Sequence, residues 1–181
     1  MAGDDEIRGG AGKDVIIGGQ GQDDLYGGED SDTFVFKSFL DSTLAAVTSS
    51  QINGPQSVTG LGLDSIRDFE VGIDKIDLSG IDANILSAGK QAFTFRNSPD
   101  GISPATFSGT AGELILVNVS VAPSPDTPGG FFTAVLGDID GDAQWDFAIN
   151  VITPTSLVPL TEMTSCCDQR TFRLQELVHR V

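Results

Sequence analysis

Residues Gly9–Val35 read GGAGKDVII, GGQGQDDLY and GGEDSDTFV, three nine-residue units set end to end without a gap. Each unit opens with a glycine pair and carries Asp at its sixth place and an apolar residue at its eighth. A partial unit, Met1–Arg8, precedes them in the same register, with Gly3, Asp5 and Ile7 at the fourth, sixth and eighth places. A flexible glycine-rich linker has composition but no period, so phased Asp and phased Ile, Leu and Phe exclude that reading. The period is the first fact about the fold, because stacked short repeats build a coil in which each unit contacts its neighbours.

The unit divides into a six-residue turn and a three-residue strand. Glycine in the turn reaches positive φ without a Cβ clash, which lets backbone carbonyls face into the loop. Asp14, Asp23 and Asp32 add carboxylates to those carbonyls. Calcium takes about six to eight oxygens at roughly 2.3–2.6 Å, whereas magnesium wants a tighter octahedron and keeps its waters, so the ion expected is Ca2+. Ile7, Ile16, Leu25 and Phe34 fall one per unit and stack as a thin apolar ladder if two units make one coil. Acidic turns outside and an apolar ladder inside describe a parallel β-roll of the calcium-binding nonapeptide type.

At 181 residues the chain is long enough for one domain, or for one domain with an appended repeat block. Hydrophobic residues make up 39%, enough for a core, so this is not a disordered acidic tail. A net charge of −16 argues against nucleic acid and anionic membranes as partners. No apolar run reaches the length of a membrane span, and the N-terminus has no signal-peptide pattern. The chain starts inside a repeat, so Met1-Ala2 reads as an engineered or truncated start. Cys166 and Cys167 are adjacent, which rules out a disulfide scaffold and leaves the compartment open.

After the repeats, Thr33–Phe36 reads as a strand and Lys37–Leu63 as a long Ser/Thr/Gly-rich loop. Asp64–Asp82 (DSIRDFEVGIDKIDLSGID) reads as two short strands turning at Gly72. Further strands are expected at Ala92–Arg96, Glu113–Val121, Phe131–Leu136 and Asp146–Ile152. Turn clusters at Ser98–Gly101 and Ala122–Gly130 separate them. Many short strands with such turns suggest an antiparallel sandwich stacked on the roll.

The repeats running into DTFVF, then DSIRDFEVGIDKIDLSGIDAN, FSGTAGELILV and GDIDGDAQWDFAINV, resemble the C-terminal β-roll domain of serralysin-type secreted metalloproteases. Similar modules occur in mannuronan epimerases and other proteins of the repeats-in-toxin class. The resemblance covers about Gly3 to Leu160. It implies an all-β fold, a right-handed parallel β-roll continuing into an antiparallel β-sandwich, with several calcium ions and export by type I secretion machinery. The expected division is 1–36 for the repeats, 37–160 for the sandwich and 161–181 for an atypical tail.

In the family pattern each ion lies between alternate turns. Carried over, this implies one site from Gly10, Gly12, Asp14, Gly27, Glu29 and Asp32. A second would use Gly3, Asp5, Gly18, Gln20 and Asp23, with its first turn cut short. The turns holding Gly19, Gly21 and Asp23, and Gly28, Asp30 and Asp32, have no later repeat to pair with. The resemblance implies Asp64 and Asp68 to complete them. Asp30 departs from the pattern, standing where a fourth-place glycine is usual.

GDIDGDAQWD places Asp138, Asp140, Asp142 and Asp146 at the first, third, fifth and ninth places of a calcium-loop spacing. The twelfth place is Ile149 rather than a bidentate Glu, so an Asp/Gly hairpin turn stands beside the calcium reading. The family pattern fails after Leu160, and TEMTSCCDQRTFRLQELVHRV reads as a replaced or frame-shifted end. Leu174, Leu177, Val178 and Val181 fall at helical spacing there. They predict a short C-terminal helix that packs on the sandwich or on a second copy.

No HExxH is present, and the only histidine is His179, in the tail, so neither a zinc protease nor a serine triad can be assembled. The chain reads as a non-catalytic module whose covalently linked catalytic domain is missing. Two functions remain: a calcium-triggered folding and secretion module, or an accessory module holding an acidic polysaccharide for a catalytic partner. Ten basic against 26 acidic residues, with a single Trp145, favour the first.

Overall fold

In the computed structural model the described residues are 2–42, 63–96, 106–121, 130–153, 160–165 and 171–176. Cys166, Cys167, His179, Leu177, Val178, Val181 and the turn clusters at 98–101 and 122–129 lie outside them. The described fold is all-β apart from one 3₁₀ turn, Phe39–Ser42. In chain order the strands are β1 (Glu6–Ala11), β2 (Val15–Ile16), β3 (Asp24–Glu29), β4 (Thr33–Val35), β5 (Ser65–Ile66) and β6 (Lys75–Asp77). They continue as β7 (Thr94–Phe95), β8 (Glu113–Val121), β9 (Gly130–Asp138), β10 (Phe147–Val151), β11 (Leu160–Ser165) and β12 (Thr171–Glu176).

The nonapeptide period becomes geometry through register. β1 pairs with β3 in parallel, with Ile7 opposite Leu25, and β2 pairs with β4 in parallel, with Ile16 opposite Phe34. Two units therefore make one coil, and odd and even units feed opposite sheets. The coil does not end with the repeats. β5 adds in parallel to β3, with Leu25 opposite Ile66, and β6 adds in parallel to β4, with Phe34 opposite Ile76. The stretch Asp64–Asp82 thus holds two strands joined by the turn at Gly72, but they lie in different sheets and do not form a hairpin. A coil sends successive strands to opposite walls, and that decides their placement.

The seven-stranded sheet runs β1-β3-β5-β10-β9-β8-β7, and the five-stranded sheet runs β11-β12-β6-β4-β2. β8, β9 and β10 pair antiparallel, and β10 joins β5 in parallel, so roll and antiparallel region share one sheet. The apolar ladders Leu25–Ile66 and Ile16–Phe34–Ile76 pack with Phe69, Leu114, Val135, Phe147 and Ile149 in one core. A smaller cluster, Leu63, Ile115, Ala134, Leu136 and Ala148, is buried separately. Alternation along β8 and β10 supplies both clusters, because successive side chains point to opposite faces.

The tail departs from its expected helix. Thr171–Glu176, which contains Leu174, is strand β12, paired antiparallel with β11 and with β6. A stripe this short holds a helix only weakly on its own, since isolated helices below about 12–15 residues are marginal in water. A β6 edge that offers ladder hydrogen bonds outweighs that helical preference.

Candidate metal centres

The Asp-x-apolar triplet that closes each turn builds the site. Its Asp sits at the end of the turn, and its apolar residue enters the core two positions later. The stacked coils bring these Asp residues into two columns. In one column the Asp5 N–H donates to Asp23 Oδ1 at 2.9 Å, and the Asp23 N–H donates to Asp64 Oδ1 at 2.9 Å. In the other, the Asp14 N–H donates to Asp32 Oδ1 and the Asp32 N–H to Asp74 Oδ1, both at 2.9 Å. Every rung is thus registered by the carboxylate of the next.

In Asp23, Asp32, Asp64 and Asp74 one carboxylate oxygen is used in this way. Oδ2 is buried and unpartnered in Asp23, Asp32 and Asp64, and likewise in Asp5 and Asp14 at the heads of the columns. A buried carboxylate oxygen without a donor is costly unless a cation meets it. The glycines show where that cation fits. A Cβ placed on Gly9 would lie 2.6 Å from Gly27 O and 2.7 Å from Asp14 Oδ2, so oxygens of the first and third turns border one point. On Gly18 and Gly27 a Cβ would meet Asp23 Oδ2 and Asp32 Oδ2. The first-place glycine keeps that space open in each turn. Gly10 and Gly12 have φ of 108° and 104°, which turns alternate peptide groups as the loop closes. Asp30, at the fourth place, adopts φ 79°, a conformation that Asp tolerates better than most side chains.

Burial raises the Asp64 carboxyl to about 8, against the lowering by the Asp23 N–H and with the charges of Asp23 and Asp41 adding to the rise. Burial likewise raises Asp23 and Asp32, each opposed by one amide, with the charges of neighbouring carboxylates adding to the rise. These are carboxylates held where the charged form lacks compensation, which a divalent cation supplies. The residues present fit calcium in donor type and in charge, since carboxylate and backbone carbonyl oxygens border the site.

The sequence expectations divide as follows. Asp5, Asp14, Asp23, Asp32 and Asp64 are brought into the two columns. Gln20 O accepts the Gly3 N–H at 2.8 Å and Glu29 O accepts the Gly12 N–H at 3.2 Å, so these third-place carbonyls also tie coil to coil. The backbones of Gly21 and Gly28 lie against those of Gly3 and Gly10, leaving no room for a Cβ. Gly19 has φ 106°, matching Gly10 and Gly28 at the second place. Asp68 stands outside the columns. Its Oδ1 accepts the Gly27 N–H at 2.8 Å and its Oδ2 the Gly28 N–H at 3.2 Å, so it caps the third turn.

The third rung of the second column is Asp74, which sequence reasoning missed. Its signal was present: Asp74-Lys75-Ile76 repeats the Asp-x-apolar triplet, as does Asp64-Ser65-Ile66, whereas Phe69 follows Asp68 directly. The Glu70 N–H donates to Asp74 Oδ2 at 2.8 Å, so this column closes on protein donors. Asp41 also went unread. Its Oδ2 accepts the Lys37 and Ser38 amides, and its charge acts on Asp64.

The Asp138–Asp146 loop joins β9 to β10. Oxygens of Asp138, Asp140 and Asp146 lie within 4.8 Å of one another. Both oxygens of Asp138 are already used, by the Gly141 N–H at 2.6 Å and the Ala143 N–H at 3.1 Å, and Asp146 Oδ2 accepts the Ile139 N–H at 2.7 Å. Asp142 accepts from Gln144 through both oxygens. Backbone donors thus support the turn without an ion. Asp140→Asn is expected to leave the number of bound calcium ions unchanged in equilibrium dialysis; loss of one ion would establish the loop as a site.

Residues 1–34 match the family model of the RTX calcium-binding nonapeptide repeat, in four copies. The match falls on the residues in which the Gly, Asp and apolar positions are phased. No curated protein matches the chain. Among solved structures it is similar to the solution structure of the AlgE6R3 subunit from the Azotobacter vinelandii mannuronan C5-epimerase. The two are 21% identical, with 91% of this chain and 87% of that one covered and a TM-score of 0.42.

Proposed function

We propose that this calcium-binding β-roll is the folding and secretion module of an extracellular bacterial protein. It folds on calcium after type I export and supports a catalytic domain carried elsewhere on the parent protein. The observation that carries the reading is the five buried, unpartnered Oδ2 atoms in two registered columns. Such a structure is incomplete without cations. It suits a chain that must stay unfolded where calcium is scarce and fold where it is abundant.

The accessory polysaccharide reading has less support. Arg8 lies 4.0 Å above the Tyr26 ring, and Arg67 stands on the adjacent strand segment, but both guanidinia are already engaged. Arg8 pairs with Glu6 at 2.9 Å and Arg67 with Asp24 at 2.6 Å. A polyanion would have to displace these acids in a chain of strongly negative charge.

The test is a calcium titration followed by circular dichroism. Asp14→Ala and Asp32→Ala are each expected to move the folding transition to higher calcium. Asp32→Ala should move it further, because it also removes the Oδ1 that accepts the Asp14 N–H, an inter-coil bond that Asp14→Ala leaves in place. Magnesium at the same concentration should not substitute. A transition that neither substitution moves would remove the repeat columns as the calcium site.

A further inference from the structure

We propose that the two Asp columns are not equivalent: the first transmits calcium binding through Asp64 into the antiparallel region, and the second acts within the roll. The inference deepens the calcium-folding reading above and rests on it. What separates the columns is how each ends. At the foot of the first, Asp64 is fully buried, accepts the Asp23 N–H through Oδ1 and keeps a bare Oδ2. At the foot of the second, Asp74 is buried as well, but both its oxygens are taken. Oδ1 accepts the Asp32 N–H and Oδ2 the Glu70 N–H. A buried carboxylate oxygen without a donor calls for a cation, and a carboxylate with a donor on each oxygen does not. The last rung that depends on an ion is therefore Asp64 in one column and Asp32 in the other.

The backbones of these rungs lead to different places. Asp64 directly precedes β5, the two-residue strand that lies between β3 and β10. Its carbonyl accepts the Asn150 N–H at 2.9 Å, and its N–H donates to Ser42 Oγ at 3.1 Å. The buried Ser42 Oγ donates in turn to the Ala148 carbonyl at 2.5 Å. Asp64 is thus tied to β10 twice, once directly and once through a hydroxyl. In the second column the Asp74 N–H returns to Glu70 O at 2.9 Å, inside the Gly72 turn, and the Lys75 N–H donates to Asp32 O at 2.9 Å. The Thr33 N–H likewise donates to Asp14 O at 2.9 Å, which ties this column to β4. Coupling between two regions needs one element that both of them bias, and β5 with Asp64 is that element for the roll and β10. The core shared by both sheets passes on any loss of roll structure, so the columns differ in which strand responds first.

The test is hydrogen exchange of the full chain across a calcium titration, comparing β10 (Phe147–Val151) with β4 (Thr33–Val35). Asp64→Asn keeps an acceptor for the Asp23 N–H but removes the charge. In that variant β10 should need several-fold more calcium than β4 to gain its calcium-dependent protection. Asp14→Asn should give the reverse order, with β4 lagging β10. Shifts of the same size in both strands for both variants would overturn the proposal. Ser42→Ala leaves every carboxylate in place and should delay β10 several-fold relative to β4, a result that does not depend on Asp64→Asn folding. An unchanged order in Ser42→Ala would overturn the proposal as well. If calcium protects neither strand of the unsubstituted chain, the calcium-folding reading fails and takes the proposal with it. If calcium protects both and the variants shift them alike, that reading stands and only the inequivalence of the columns falls.

Discussion

In chelator, the amides of Gly9–Val35 are expected to exchange at close to unprotected rates, and calcium approaching millimolar should protect them. The argument rests on the two Asp columns. Neighbouring coils lie about 4.8 Å apart, so each column stacks carboxylates at roughly that spacing. Like charges at such distances near a protein surface repel by a few kcal/mol per pair at an order-of-magnitude estimate. Against this, each unit contributes one ladder residue: Ile7, Ile16, Leu25 or Phe34. The inter-Asp hydrogen bonds use one oxygen each and leave Oδ2 bare. Ion binding and folding of the repeats should therefore be a single event. The β8–β10 region should keep partial protection, because Ile115, Ala134, Leu136 and Ala148 form a cluster apart from the ladder.

The sign of the pH dependence follows from Asp64. Burial raises its folded pKa to about 8, above the usual carboxylate value, so the penalty of charging it is absent at low pH and grows as pH rises toward 8. In chelator the residual structure should thus weaken between mildly acidic and mildly alkaline pH. Calcium should reverse the loss. Full amide protection of Gly9–Val35 in calcium-free buffer at neutral pH would sink the coupling.

Gly28→Ala is expected to abolish the cooperative calcium transition, while Gly12→Ala should only weaken it. Both glycines have positive φ, 102° and 104°, so both substitutions incur a similar conformational cost of about 1–2 kcal/mol. They differ in what surrounds them. A Cβ on Gly12 meets no atom within 4 Å, whereas one on Gly28 would run into the carbonyl of Gly10, its register partner on β1. The coils cannot separate locally without opening the β1–β3 ladder and the spacing of the Asp column beside it. Circular dichroism against calcium should show a displaced but complete transition for Gly12→Ala and none for Gly28→Ala. Equal losses would mean that φ, and not coil spacing, sets the requirement.

The repeat register made most of the roll readable in advance. Glycines at the first, second and fourth places, Asp at the sixth and an apolar residue at the eighth are local demands. Turn conformation, ligand chemistry and core direction are each met within nine residues, so Asp5, Asp14, Asp23 and Asp32 could be named without a structure. Beyond Val35 the nonapeptide period stops in the sequence, and proximity in the chain stops reporting proximity in space. Asp74 rather than Asp68 takes the third rung because its Ile76 lands opposite Phe34, a pairing 42 residues distant that only the stacked sheets impose. The tail shows the same limit. Its helical spacing is a weak local preference, and the edge of β6, formed by residues almost a hundred positions earlier, pairs Thr171–Glu176 as a strand. The sequence by itself determined the coil, its ion chemistry and its apolar ladder, because those are periodic and local. Where the coil ends and what closes it was decided by the tertiary structure, because hydrogen-bond donors and sheet edges are satisfied by whichever segment the fold brings to them.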